Sequence, residues 1–279
     1  MAEEKATVDA ETPTEREFEF LEQADSGHDV TVRDDQYTFF WLLDGARRCR
    51  RHGKRFRLID TGRLRSDQME DMGKAGADIY TSDRVRREIN ELVAINDACR
   101  SGRSILAGFI YGRLTDELQK GALTLQDGKQ LAGSGIYLHL TNREIPHPFS
   151  MLNELAFECA GAGSWLVYYH TGALVNDLAD VAGSGAWIYL SGESLETDGD
   201  ALLLLDLLKS ARSAGTGIVL HIESRVTLTW LRDFLQAGGY LQFRKQYFDY
   251  RSPYRAVEDQ ARRKVPDFRA VYLDPVVFP

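Results

Sequence analysis

Six times along the chain an Ala-Gly pair leads into a short run of apolar, β-branched or aromatic residues, and no other feature limits the possible folds so sharply. The runs are AGADIYTSD (75–83), AGSGIYLHLTN (132–142), AGAGSWLVYYH (160–170), AGSGAWIYLSG (182–192), AGTGIVLHIES (214–224) and AGGYLQFRK (237–245). Glycine at such a point closes a helix in the left-handed conformation and passes the chain into a strand. Each run ends in polar residues suited to cap a following helix, such as Thr81-Ser82-Asp83 and Thr141-Asn142. Amphipathic stretches lie between the runs, clearest at Met151 to Cys159, Ala201 to Ala211 and Thr227 to Gln236. The repeating unit is βα.

Two further runs, Phe56 to Thr61 and Ile105 to Tyr111, fit the same rhythm without the Ala-Gly lead. Eight βα units imply an α/β fold of the TIM-like (β/α)8 barrel type, with the helices outside. At 279 residues the chain has room for one such barrel and its extensions. The alternative, an open doubly wound α/β sheet, requires one run to be misread.

Charge divides the chain further. Residues 1–35 hold twelve acids against three bases and read as an acidic, disordered arm with one short helix near Thr14 to Ala24. Residues 36–54 read as a leading helix with a basic end, 55–245 as the barrel, and 246–279 as a C-terminal extension packing on it. That extension should carry a helix around Arg255 to Lys264 and a late apolar run, Ala270 to Leu273.

Active sites of barrels lie at the C-terminal ends of the strands. Side-chain alternation assigns to the inner face Asp60, Tyr80, Ser82, Tyr111, Tyr137, His139, Thr141, Tyr168, His170, Tyr189, Ser191, Glu193, His221, Glu223, Gln242 and Arg244. Within this set His139, His170, His221, Glu223 and Asp60 form the candidate catalytic group. The three histidines would either ligate a divalent metal ion or, with the carboxylates, exchange protons with a substrate. No His-x-His pair stands on the first run, which counts against metal. Arg244 and Lys245, with Tyr80, Tyr111 and Glu193, are the candidate substrate-binding residues, suited to a small polar or anionic molecule. Gly238-Gly239 precedes its strand, so it belongs to the opposite end and is not a phosphate loop.

Residues 47–57 gather Arg47, Arg48, Arg50, Arg51, Lys54, Arg55 and Arg57 without an acid. A net charge of −8 and a single interleaved aromatic, Phe56, argue against nucleic acid. A protein partner could instead use this segment or the acidic arm. Three isolated cysteines, Cys49, Cys99 and Cys159, suit a reducing compartment, and no apolar run is long enough to insert in a membrane. The expectation is a cytoplasmic barrel enzyme using acid/base or metal-assisted chemistry. The alternative is a non-catalytic barrel serving as a protein-binding or assembly component.

Overall fold

The computed structural model describes residues 15–114, 123–191, 198–222, 228–243 and 251–271. Its centre is a single sheet of nine parallel strands: β1 (Val30–Arg33), β2 (Phe56–Ile59), β3 (Ala77–Ser82), β4 (Leu106–Ile110), β5 (Tyr137–Thr141), β6 (Leu166–His170), β7 (Ala186–Ser191), β8 (Ile218–Ile222) and β9 (Tyr240–Phe243). Helices alternate with them: α1 (Glu15–Asp25), α2 (Phe39–Arg51), α3 (Ser66–Ala75), α4 (Ile89–Gly102), α5 (Leu125–Gly133), α6 (Phe149–Gly161), α7 (Asp177–Gly183), α8 (Asp198–Ser213), α9 (Leu228–Gln236) and α10 (Arg255–Arg263). A short 3-10 turn, Phe268–Ala270, follows. All eight expected strands are present, and each Ala-Gly lead contains a glycine at positive φ: Gly76 (+100°), Gly135, Gly163, Gly185 (+104°), Gly215 and Gly238. Before β4, which lacks that lead, Arg103 takes the left-handed conformation instead (φ 61°).

The strand order runs from β1 to β9 without a reversal, whereas a doubly wound sheet reverses at its switch point. The sheet is also curled. Burial first, and then the proximity of Tyr80 on β3, raises the hydroxyl pKa of Tyr189 on β7, a proximity that four flat strand spacings of about 19 Å would not give. The 268–269 segment joins opposite parts of the sheet in the same way. Phe268 lies 3.9 Å beneath the Arg55 guanidinium at the start of β2, while Arg269 stacks 4.4 Å from Trp165, just before β6. Among the described residues β1 and β9 each pair on one side.

The ninth strand corrects the expected boundaries. Helix α1 is the short helix expected in the acidic segment, but strand β1 falls where that segment was read as disordered, so the sheet begins at Val30 and not near residue 55. Four residues without an Ala-Gly lead gave little periodic signal beside so many acids. Burial of Val30 and Val32, with pairing to Phe56 and Leu58, outweighs the local charge. Residues 1–14 and 272–279 lie outside the described residues, so the late apolar run is covered only through Val271. The expected helix in the extension is α10.

The two faces of the sheet differ. Leu58, Ile79, Leu106, Leu138, Leu140, Leu166, Ile188 and Leu220 pack against the helices in the main core. The inner face carries Tyr80, Phe109, Tyr111, Tyr137, Val167, Tyr169, Trp187 and Tyr189, all buried. Helices α3 and α4 approach so closely that a Cβ on Gly102 would stand 2.0 Å from the Gly73 carbonyl oxygen. No helix among the described residues is long and apolar enough to cross a membrane.

Alternate strands end in the same clamp. Asp34, after β1, accepts the backbone N–H of Thr61 after β2 (2.9 Å), and also those of Arg63 and Leu64. Asp83, after β3, accepts from Tyr111 and Gly112 after β4 (3.1 and 2.8 Å). Asn142, after β5, accepts from Thr171 after β6 (2.8 Å). In all three, the clamping residue's own N–H also donates into the neighbouring strand, to Ile59, Phe109 and Tyr169. A short acceptor thus holds the next loop, which would otherwise leave its amides unpaired at the strand ends.

Candidate functional site

The C-terminal strand ends form the mouth of the curled sheet. By alternation Ser82, Tyr111, Thr141, Ser191, His221 and Gln242 stand on its inner side, with Ser191, His221 and Gln242 in register across β7, β8 and β9. His139 lies below them, fully buried, its Nδ1 3.1 Å from the Tyr169 hydroxyl. Burial holds its pKa down to about 3, so it is a neutral imidazole at ordinary pH. His221 is only partly buried.

Three expected inner-face residues point the other way. Asp60 shares the phase of Phe56 and Leu58, which pack toward the helices. It receives the Arg86 Nε at 2.6 Å and the Thr81 hydroxyl at 2.7 Å, while Arg86 also pairs with Glu91 and with the Leu64 carbonyl. Asp60 is therefore the anchor of a buried ion pair under the β2 and β3 loops. On β6 the sequence Tyr168-Tyr169-His170 offers an aromatic in either phase. Tyr168 joins the helix-side core, Tyr169 the inner cluster, and His170 follows Tyr168 outward. The His170 Nε2 sits 2.9 Å from the Ala173 carbonyl and its Nδ1 faces Asn142, so its ring fixes a loop.

The metal set is broken by this outward turn, since His139 and His170 occupy opposite faces. Among the described residues no group of three or more His, Cys, Asp or Glu is placed to hold an ion, and the described side chains do not fit the expected metal. Tyr80, Tyr111, His139 and His221 are on the expected face; Tyr80 is deep, with burial raising its hydroxyl pKa. Glu193, Glu223, Arg244 and Lys245 lie outside the described residues. The three thiols are buried, which pushes Cys49 up to about 11 and Cys99 and Cys159 up to about 12, far from thiolate chemistry.

A cavity of about 290 Å³ opens beside the ends of β3, β4 and β5, lined by Asp83, Arg84, Arg87, Tyr111, Gly112, Leu123, Glu144 and Ile145. The Arg84 guanidinium stacks 3.9 Å from the centre of the Tyr111 ring and pairs with Glu144 at 3.0 Å. Arg87 donates its Nε to the Asp83 carbonyl oxygen. In the same loop as Glu144, His147 is buried with neither ring nitrogen hydrogen-bonded. Burial first, and then the charge of Arg113, lowers its pKa to about 4. Of these residues only Tyr111 was legible as a candidate. Arg84, Arg87, Glu144 and His147 sit in loops without periodicity, though three arginines in Arg84-Val85-Arg86-Arg87 directly after a strand run were a usable signal.

No family model matches the chain, and no curated protein matches it. Among solved structures it is similar to the tetrameric deoxyribose phosphate aldolase from Aeropyrum pernix, at 15% identity over 81% of this chain and 92% of that one, with a TM-score of 0.33. It is also similar to the 3-dehydroquinate dehydratase from Aquifex aeolicus VF5, at 13% identity over 85% and 97%, with a TM-score of 0.35. At these scores the likeness carries no argument, and the fold rests on the chain's own topology.

Proposed function

We propose that this chain is an enzyme acting on a small anionic molecule at the C-terminal strand ends by acid/base chemistry. The cavity at β3 to β5 carries the reading, because it places two guanidiniums and a tyrosine ring at the edge of the mouth. An anion entering there exchanges Glu144 for itself on Arg84 and gains charge-assisted hydrogen bonds. Its other end reaches toward the inner face, where His221 stands beside Ser191 and Gln242. His221 is the proton-transfer group in this reading, since it is the inner-face histidine at the strand ends that is not fully buried, while His139 stays neutral and orients Tyr169. Glu223 and Glu193 follow β8 and β7 and are proposed as carboxylate partners of that step. Arg244 and Lys245, after β9, are proposed as further anion contacts.

The test is a thermal-shift panel of small carboxylates and phosphate esters on the full chain. At least one should raise the melting temperature by several degrees, as binding to the native state alone requires. Arg84→Ala with Arg87→Ala should abolish that shift. His221→Ala should keep it while stopping conversion of the same compound followed by NMR. A panel without a stabilising anion, or one whose effect survives the double arginine variant, removes the proposal.

A further inference from the structure

The basic block of residues 47–57 does not act as one unit. Arg48 pairs with Asp44 and Asp25, Arg57 with Asp29, and Arg55 approaches Asp78. Arg48 and Arg57 are thus committed to the segment that precedes β2, and Arg55 to Asp78 on β3. Arg47 and Arg51 point elsewhere. Together with Arg50 and Lys74 they line a groove of about 830 Å³ between α2 and α3, whose remaining lining is Leu43, Asp44, Asp71 and Ala75. The Arg50 Nη1 donates to the Lys74 carbonyl at 2.9 Å and ties the two helices across it. No described acid forms an ion pair with Arg47 or Arg51. At the head of the same stripe, spaced as 40, 43, 47 and 51, Phe40 is 78% exposed.

We propose that this groove is a docking surface for an acidic amphipathic segment of a partner protein. Charge complementarity supplies the first reason: Lys74 pairs with Glu70 and Asp71 and Asp44 with Arg48, but Arg47, Arg50 and Arg51 still present three cations to solvent on a chain whose net charge is −8. Cations of this kind steer an acidic partner and fix its register. The apolar members decide the class of partner. Phe40, Leu43 and Ala75 suit side chains at helical spacing, the pattern by which a helix lies in a groove. Asp44 and Asp71 stand inside the trough, where they would repel a phosphate backbone, so nucleic acid is disfavoured.

Fluorescence anisotropy on the full chain tests this, with a short synthetic peptide in which glutamates flank three leucines at helical spacing. Arg47→Glu with Arg51→Glu should weaken binding about tenfold or more, a loss of about 1.4 kcal/mol per decade. Phe40→Ser should weaken the leucine peptide several-fold and leave a serine-substituted version unchanged. Both sites are exposed, so circular dichroism should match the parent. Equal binding by the Arg47/Arg51 variant overturns the proposal, as does tighter binding of duplex DNA than of the peptide. A tenfold gain on deleting residues 1–14 would assign the groove to the chain's own acidic segment and overturn it likewise.

Discussion

The two ends of the curled sheet are built on opposite terms. At the N-terminal end Trp165, Trp187, Tyr137 and Tyr240 interlock, with Trp165–Trp187 and Trp187–Tyr240 ring centres 5.5 and 5.4 Å apart. The 267–270 segment lies across them. Asp267 holds Arg269 through paired hydrogen bonds, and Arg269 spreads over Trp165 and reaches the Tyr137 hydroxyl. At the C-terminal end Tyr111 shares the inner side with the polar Ser82, Thr141, Ser191, His221 and Gln242, and the guanidiniums of Arg84 and Arg87 line a cavity. Aromatic packing is concentrated at one end, and the other holds polar groups that a packed core would reject.

The comparison can be broken most severely at Gly217. A Cβ there would lie 2.6 Å from the Trp187 ring and 2.8 Å from Tyr240. Gly217→Val should therefore cost about 3 kcal/mol in urea unfolding, and a loss under 1 kcal/mol would show that the aromatic end yields. Asp34→Ala comes next. It strands three loop amides, that of Leu64 buried and those of Thr61 and Arg63 partly so, and should cost about 2 kcal/mol by the same measurement.

Asp78 sharpens the contrast through pH. Burial raises its pKa to about 6, partly offset by Arg55, the Ile105 amide and Arg57. A raised folded-state value means that the native state holds the proton more tightly than the unfolded chain. This contribution is complete below about pH 4 and is lost as pH rises through about 6. Asp78→Asn should remove that decline and make the protein more stable than the parent at pH 8 by about 1 to 2 kcal/mol. If the difference does not change between pH 4 and 8, Asp78 carries no such linkage. Arg269→Ala should cost about 1 kcal/mol and shift tryptophan emission to the red, because Trp165 loses its cover. The smallest effect belongs to the mouth: Arg84→Ala should change stability by less than about 0.5 kcal/mol, since its partner Glu144 is as exposed as it is.

The strands were legible because each Ala-Gly lead marks a backbone conformation, and backbone requirements leave local traces in sequence. Strand β1 left none, because two buried valines in an acidic stretch look like any charged segment. The inner face was legible where one phase was apolar, as at Tyr137-Leu138-His139-Leu140, and misread where both phases were aromatic, as at Tyr168-Tyr169-His170. Asp60 was misplaced for a related reason: a polar residue closing an apolar strand suggests a mouth, yet its partner Arg86, twenty-six positions away, draws it outward. The cavity residues Arg84, Arg87 and Glu144 meet only through the fold, and no period in the chain announces them.

The clamps of Asp34, Asp83 and Asn142 occur on odd strands and hold the loops after even ones. The smallest piece that keeps its own clamp is therefore a pair of βα units, not a single unit. Duplication, permutation or grafting between related chains would conserve every clamp when the cut falls before an odd strand, and would sever one when it falls before β2, β4 or β6. The modular grain of this sheet is two strands wide.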